Sequence, residues 1–182
     1  MKSSRNIIFV GGIHGVGKST ICRRLCADLN LEYLSASELI TDYKAMMATK
    51  NLDKGKLVIN ISDNQAVLAA ALRARKQSEV KRLLDGHFTL LDVNKQVKGI
   101  PLETFIAIMP KVLIVLVDDP GLIMERLLKR DGRKYDLALL AYMQEQELLH
   151  AKQIGFQMSL DAHEVSINEA EHMKHIISDV IA

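Results

Sequence analysis

Residues 12–19 read Gly12-Ile13-His14-Gly15-Val16-Gly17-Lys18-Ser19, a G-x-x-x-x-G-K-[ST] pattern placed between an apolar run and an amphipathic stretch. Each residue type has a chemical reason. Glycines adopt backbone conformations and permit close approaches that a side chain blocks, so successive N–H groups converge on one phosphate. The start of the following helix adds partial positive charge at the same point. In such a loop Gly12, His14, Gly15, Val16 and Gly17 present their backbone to a nucleotide. Lys18 bridges the β- and γ-phosphate oxygens, Ser19 ligates Mg²⁺ and Thr20 lies against the α-phosphate. The pattern defines the donor phosphates and leaves open what is done with them.

The loop needs a strand before it and a helix after it, and both are legible. Asn6 to Val10 is a short apolar run, as expected of a strand buried on both faces, and a helix is predicted from Lys18 to about Asn30. Leu31 to Leu34 forms a second strand, and Ser35-Ala36-Ser37-Glu38 caps a helix through about Met47. Lys50 to Lys56, with Gly55, reads as a polar, flexible stretch. Ser62 with Gln65 makes a capping box for a helix to about Gln77. Val80 to Leu84 is a third strand stopped by Asp85-Gly86-His87, and Pro101 opens a short helix to about Met109. "KVLIVLV", 111 to 117, is the clearest strand, with Asp119 as N-cap and Pro120 as first residue of a helix to about Arg130. Asp136 to Ile154 is a helix closed by Gly155, His163 to Ile167 a last strand, and Asn168 caps a terminal helix. Five strands alternating with helices imply a parallel sheet covered on both faces, with its site at the strands' C-terminal ends.

A chain of 182 residues supports one domain with its own core. A net charge of +2, with 25% charged and 48% hydrophobic residues, creates no field that implies nucleic acid or an anionic membrane as partner. No segment approaches the roughly 20 apolar residues of a membrane span, and glycines and His14 interrupt the N-terminal apolar run, so the expected location is the cytoplasm. Cys22 and Cys26 fall with Ile21, Leu25 and Leu29 on one helical face and read as buried thiols. His163, His172 and His175 lack the spacing and company of a metal site and read as solvated or helix-surface residues.

The class of nucleotide chemistry depends on the other polar residues. A guanine-reading N-K-x-D is missing, since Asn94-Lys95-Gln96-Val97 lacks the acid. "VLIVLVDDP" imitates the paired acids of a motor ATPase, but capping explains Asp119 and a turn explains Asp118. The remaining strand-end acid is Asp85, in "RLLDGHFTL".

Here the chain resembles the adenylate kinase-like P-loop nucleotide kinases, above all the compact archaeal-type adenylate kinases. "GGIHGVGKST" is similar to that family's G-x-P-G-x-G-K-[ST]. "LLDGHFTL" with "KGIP" resembles its D-x-H segment followed by G-[LI]-P, and "VLIVLVDDPGLIMERLLKRDGRKYD" its fourth strand, proline turn and Arg-bearing helix running into a short lid. The resemblance implies a three-layer α/β/α P-loop NTPase domain of nucleoside-monophosphate-kinase type spanning residues 1–182. It implies an acceptor-binding arm at about 35–78 and a short lid at about 127–136. The roughly 45 residues between the second and third strands exceed a single crossover helix and fit such an arm.

The same resemblance implies that Asp85 holds Mg²⁺ through water and that His87, with Ser37 and Lys44 of the arm, lies at the phosphoryl acceptor. It implies that Arg126, Arg130 and Arg133 fold over the transferring phosphate, where arginine charge stabilises the transition state together with Lys18 and Asp85. Asn168 falls where related kinases pass the backbone beside adenine, although an N-cap explains it equally. Three departures stand out: His14 replaces the loop proline, Tyr135 replaces the second lid arginine, and no arginine occurs between residues 25 and 72. Lys44, Lys54 and Lys56 can substitute as point charges, without a guanidinium's bidentate geometry.

The expected function is Mg²⁺-dependent transfer of the ATP γ-phosphate to a nucleoside monophosphate or similar small acceptor. Two alternatives stay open. One is a nucleotide-dependent regulatory protein with slow ATPase activity and a protein partner. The other is a small-metabolite kinase of the shikimate or gluconate type.

Overall fold

The computed structural model describes residues 6–54, 64–75, 80–92 and 94–181, with 50–54 as backbone. In chain order the elements are β1 (Ile7–Gly11), α1 (Lys18–Leu29), β2 (Glu32–Ser35), α2 (Ala36–Lys54), α3 (Asn64–Ala74) and β3 (Arg82–Asp85). There follow β4 (Thr89–Leu91), β5 (Val97–Gly99), α4 (Leu102–Ile108), β6 (Pro110–Val117), α5 (Pro120–Asp131), α6 (Leu137–Met158), β7 (Ala162–Ser166) and α7 (Ala170–Ile181).

The five expected strands form one parallel sheet in the order β2-β3-β1-β6-β7. Alternation along β1 divides the core: Ile8 and Val10 face α1 and α7 residues such as Cys22, Leu25 and Ile177, while Ile7 and Phe9 face Leu68, Phe105 and Ala151. Both cysteines are buried, as expected. On the second face Phe9 meets Phe88 and Phe105 edge-on, at centroid distances of 4.9 and 5.2 Å. All three rings are fully enclosed, so truncating one costs about 3–5 kcal/mol through lost burial and an unfilled cavity. Register sets the end that matters: Val10 pairs with Asp85 and Ser35 with Asp85, so the C-terminal tips of β1, β2 and β3 come together.

Several boundaries differ from expectation. Helix α2 continues beyond Met47 to Lys54, into the stretch read as polar and flexible. Ser62, Gly55 and Lys56 lie outside the described residues, and α3 begins at Asn64. Gly155 does not close α6; Ser159 does, with φ 54°. Gly155 serves a close approach instead, since a Cβ there would stand 2.8 Å from the Leu160 carbonyl oxygen as the chain turns into β7. Asn168 is not the cap of α7, because the Met173 N–H bonds to the Glu169 carbonyl and places Glu169 in that position. The antiparallel β4–β5 hairpin was not anticipated; Asp92 Oδ1 closes its turn by accepting the N–H groups of Asn94 and Gln96, each at 2.8 Å.

Candidate active site

β1 delivers the chain to Gly12, and the loop turns back through glycines with φ of 143° (Gly12), 82° (Gly15) and 106° (Gly17). At Gly15 a Cβ would also meet Leu127 Cγ at 2.6 Å, so both conformation and space require glycine. Gly17 occupies the N-cap of α1 and has no side chain to bond the first-turn amides, which leaves that turn open to an anion.

Lys18 is buried and folds back over the loop, its Nζ donating to the Gly12 carbonyl at 2.6 Å and the Ile13 carbonyl at 3.3 Å. Burial lowers its pKa from the usual lysine value, and the charges of Asp85 and Glu147 oppose that shift. Ser19 Oγ donates to Asp85 Oδ2 at 3.1 Å, and the Tyr33 hydroxyl donates to the same oxygen at 2.9 Å. Burial first, then the Asp85 carboxylate, raises the Tyr33 pKa and keeps this phenol a donor. Arg23 lies over the Tyr33 ring at 4.2 Å. A serine hydroxyl and a carboxylate set beside an anion cradle are the hard oxygen ligands that Mg²⁺ takes together with phosphate oxygens and water.

The His14 and His87 rings meet at a tilt of 48° with centroids 4.4 Å apart. Loss of hydration lowers both pKa values, that of His87 strongly, and Lys18 adds to the effect in each case. Both imidazoles are thereby kept neutral near pH 7, able to accept or donate a hydrogen bond without adding charge.

From Lys18, Ser19 and Asp85 a cavity of about 780 Å³ opens toward α2 and α3. Phe9, Ile40, Leu68 and Phe105 give it an apolar wall, and Ser37, Lys44 and His87 reach it, as does Arg130. Lys44 Nζ donates to Asn64 Oδ1 at 2.6 Å, joining α2 to α3, and Ser37 Oγ lies 3.0 Å from Ser35 Oγ. The donor loop and the expected acceptor residues thus share one space.

The three arginines of α5 and its following turn have different surroundings. Arg126 pairs with Asp118, and its Nη1 donates to the Val16 carbonyl at 3.5 Å. Its Nε is buried without a hydrogen-bond partner among the described residues. Asp118 is therefore more than a turn residue, since its carboxylate holds Arg126 against the loop while Gln144 clamps its backbone at 3.0 and 2.9 Å. Arg130 is bidentate to Asp131, at 2.6 and 2.9 Å. Arg133 donates to the Tyr135 hydroxyl, which donates to Asp131 at 2.5 Å, so Tyr135 links the two lid arginines to one acid. Arg126, Arg133 and Asn168 do not line the cavity. Asn168 follows Ile167, whose Cδ1 would lie 3.1 Å from a Cβ on Gly17.

One residue escaped the sequence reading. Glu147, 1% exposed, accepts the N–H groups of Gly12 at 2.9 Å, Phe88 at 2.7 Å and Thr89 at 2.7 Å, and the Thr89 hydroxyl at 2.6 Å. Its one sequence signal is position, an acid on the buried stripe of α6 with Leu140, Ala151 and Ile154.

A phosphate loop between the first strand and first helix of this five-stranded parallel sheet defines a P-loop kinase-like domain. A family model described as an AAA domain matches residues 11–141, and the chain belongs to that family. Among solved structures, a gluconokinase from Sinorhizobium meliloti 1021 is similar at TM-score 0.51 and 13% identity, over 98% of this chain and 92% of that one. An uncharacterized protein from Eubacterium ventriosum ATCC 27560 is similar at TM-score 0.51 and 14% identity, over 97% of this chain and 98% of that one. Identities so low carry the fold alone. No curated protein matches the sequence. Among the described residues no helix is long and apolar enough to cross a membrane.

Proposed function

We propose that the protein is a cytoplasmic, Mg²⁺-dependent phosphotransferase that moves the ATP γ-phosphate to a nucleoside monophosphate-like acceptor. The observation that carries this reading is the continuity of one cavity from Lys18, Ser19 and Asp85 to the residues of α2 and α3. A regulatory nucleotide switch has no need of a second deep compartment opening onto the donor phosphates. Phe9, Leu68 and Phe105 give the cavity an apolar wall on which a planar base can lie, and Ser35, Thr41, Asn64 and Gln65 offer polar partners beside it.

In this reading residues 35–78 are the acceptor arm and 127–136 the lid. Lys18 exchanges the Gly12 and Ile13 carbonyls for β- and γ-phosphate oxygens, and the loop amides after Gly12, whose own N–H is taken by Glu147 against expectation, hold the donor. Asn168, next in the chain to the Ile167 that packs on Gly17, is the residue assigned to the adenine. Ser19 and Asp85 would hold Mg²⁺, which when bound neutralises phosphate charge and orients the oxygens. Ser37, Lys44 and neutral His87 position the acceptor. Arg126, Arg130 and Arg133 meet the charge spread over the equatorial oxygens as the lid closes and excludes water.

A second reading, a small-metabolite kinase, has its own support. No arginine of the arm lines the cavity among the described residues, where an acceptor phosphate would ordinarily meet one, and a gluconokinase shares the fold. A coupled assay over the nucleoside monophosphates, gluconate and shikimate separates the two. Phosphorylation of a monophosphate above background hydrolysis is expected. Turnover of a sugar acid alone favours the second reading, and ATP binding with no acceptor turned over favours a regulatory role.

A further inference from the structure

We propose that Glu147 is a positioning residue that locks the donor loop to the acceptor-side segment and so sets the distance over which the phosphoryl group travels. Its two oxygens accept four hydrogen bonds from two segments at once: Gly12 at the root of the phosphate loop, and Phe88 with Thr89 just after Asp85 and His87. Oε1 is shared between the loop amide and the Phe88 amide, at 2.9 and 2.7 Å, so moving one segment strains the bond to the other. His87 Nδ1 lies 4.0 Å from the same oxygen.

The arrangement is costly unless it is complete. A carboxylate at 1% exposure is held in the core by the donors it satisfies, and each of the three amides would be buried unsatisfied without it. An apolar residue at this position on α6 would pack against Phe88 without fixing either loop. Glu147 also lies close enough to support the charge of Lys18. The Ser19 to Asp85 hydrogen bond and the tilted His14 to His87 ring contact both bridge the two segments that Glu147 joins. Neither contact has a buried acceptor fixed by an independent helix, and Glu147 supplies one.

The kinetic part of the proposal rests on the phosphotransfer reading, and the exchange part does not. Glu147→Gln keeps the shape but turns one acceptor into a donor facing amide donors. Thr89→Val exchanges the hydroxyl for a methyl, losing one of the four hydrogen bonds, and serves where the first variant fails to fold. Amide exchange in peptides spanning 9–20 and 85–91 is expected to accelerate together, by about tenfold or more in Glu147→Gln and less in Thr89→Val, with β6 unchanged. ATP affinity is expected to stay within about threefold while kcat for transfer falls roughly 30-fold or more, since small misplacements of reacting groups are expensive. Exchange that rises in one segment alone overturns the coupling. A kcat that falls only in proportion to ATP affinity and thermal stability overturns the positioning role. If the native protein turns over no acceptor, the phosphotransfer reading fails, and coupled exchange at the two segments still decides for or against the lock.

Discussion

Ser19 and Asp85 stand 66 positions apart in the chain and meet at 3.1 Å, the serine hydroxyl donating to Oδ2. Parallel pairing of β1 with β3 makes the meeting possible, because it sets Val10 beside Asp85 at the C-terminal end of the sheet, on the side where α1 begins. Tyr33 donates to the same oxygen from β2, on the other side of β3.

Asp85→Asn therefore tests the metal assignment directly. The amide either turns its oxygen toward Ser19 and Tyr33 and its NH₂ toward the cavity, or sets donor against donor. In both cases a negative charge is lost. Transfer is expected to fall about 10–100-fold, with more Mg²⁺ needed for half-maximal rate. Initial rates across a Mg²⁺ titration measure this, and an unchanged titration removes Asp85 from the site.

The arm predicts a separable effect. Lys44 lines the cavity from α2 and already bonds Asn64 at 2.6 Å, so its ammonium is held across the gap between α2 and α3. Lys44→Ala is expected to raise the acceptor KM about tenfold or more, the worth of one charge-assisted hydrogen bond, while ATP affinity measured by calorimetry stays unchanged. A loss of ATP affinity instead would place Lys44 on the donor side.

What was legible in the sequence followed from locality. The phosphate loop is eight consecutive residues whose types are dictated by backbone conformation, and the β-branched run of β6 can hardly be anything but a buried strand. Features set by tertiary approach were not legible. Asp118 reads as a turn acid until α5 leads Arg126 back over it, and Glu147 reads as one polar residue among several in "MQEQELLH" until the sheet places Gly12 and Thr89 around it. The three-residue strands of the β4–β5 hairpin are too short for periodicity to reveal. Helix α2 outran its expected end because its apolar residues show little one-sided pattern to mark where it stops.

The thiols give the pH dependence a definite sign. Burial pushes Cys26 up to about 11, and Cys22, beside Asp85 and Cys26, well above its usual value. An unfolded thiol ionises near about 8.5, so above that pH the unfolded chain has released protons that the folded chain retains. The contribution is thus fully present below about pH 8.5 and is lost as pH rises toward 11. Tm is expected to be level from pH 7 to 8 in this respect and to decline above it, with a shallower decline in Cys26→Ala. Both thiols are expected to resist a disulfide reagent at pH 7.5 until the protein unfolds; rapid labelling of the native state would contradict the burial.

The arginines differ in how they are held, and that predicts a ranking. Arg126 is fixed by the buried Asp118 and the Val16 carbonyl, a position beside the loop that phosphate oxygens would occupy. Its unpartnered Nε is a donor kept from water. Arg133 is exposed and bonded to Tyr135, and Arg130, although it lines the cavity, is turned onto Asp131 through Nε and Nη2, so neither guanidinium is fixed against the loop as Arg126 is. Arg126→Lys keeps the charge but loses the planar fork, and is expected to lower kcat by about 10³, against about tenfold for Arg133→Ala. Asp118→Asn should fall between them, because the guanidinium survives while its anchor weakens. Single-turnover rates at saturating ATP measure the series. If Arg133→Ala proves the more damaging, the transition-state contact belongs to the lid, and the pairing of Arg126 with Asp118 serves to fix the loop alone.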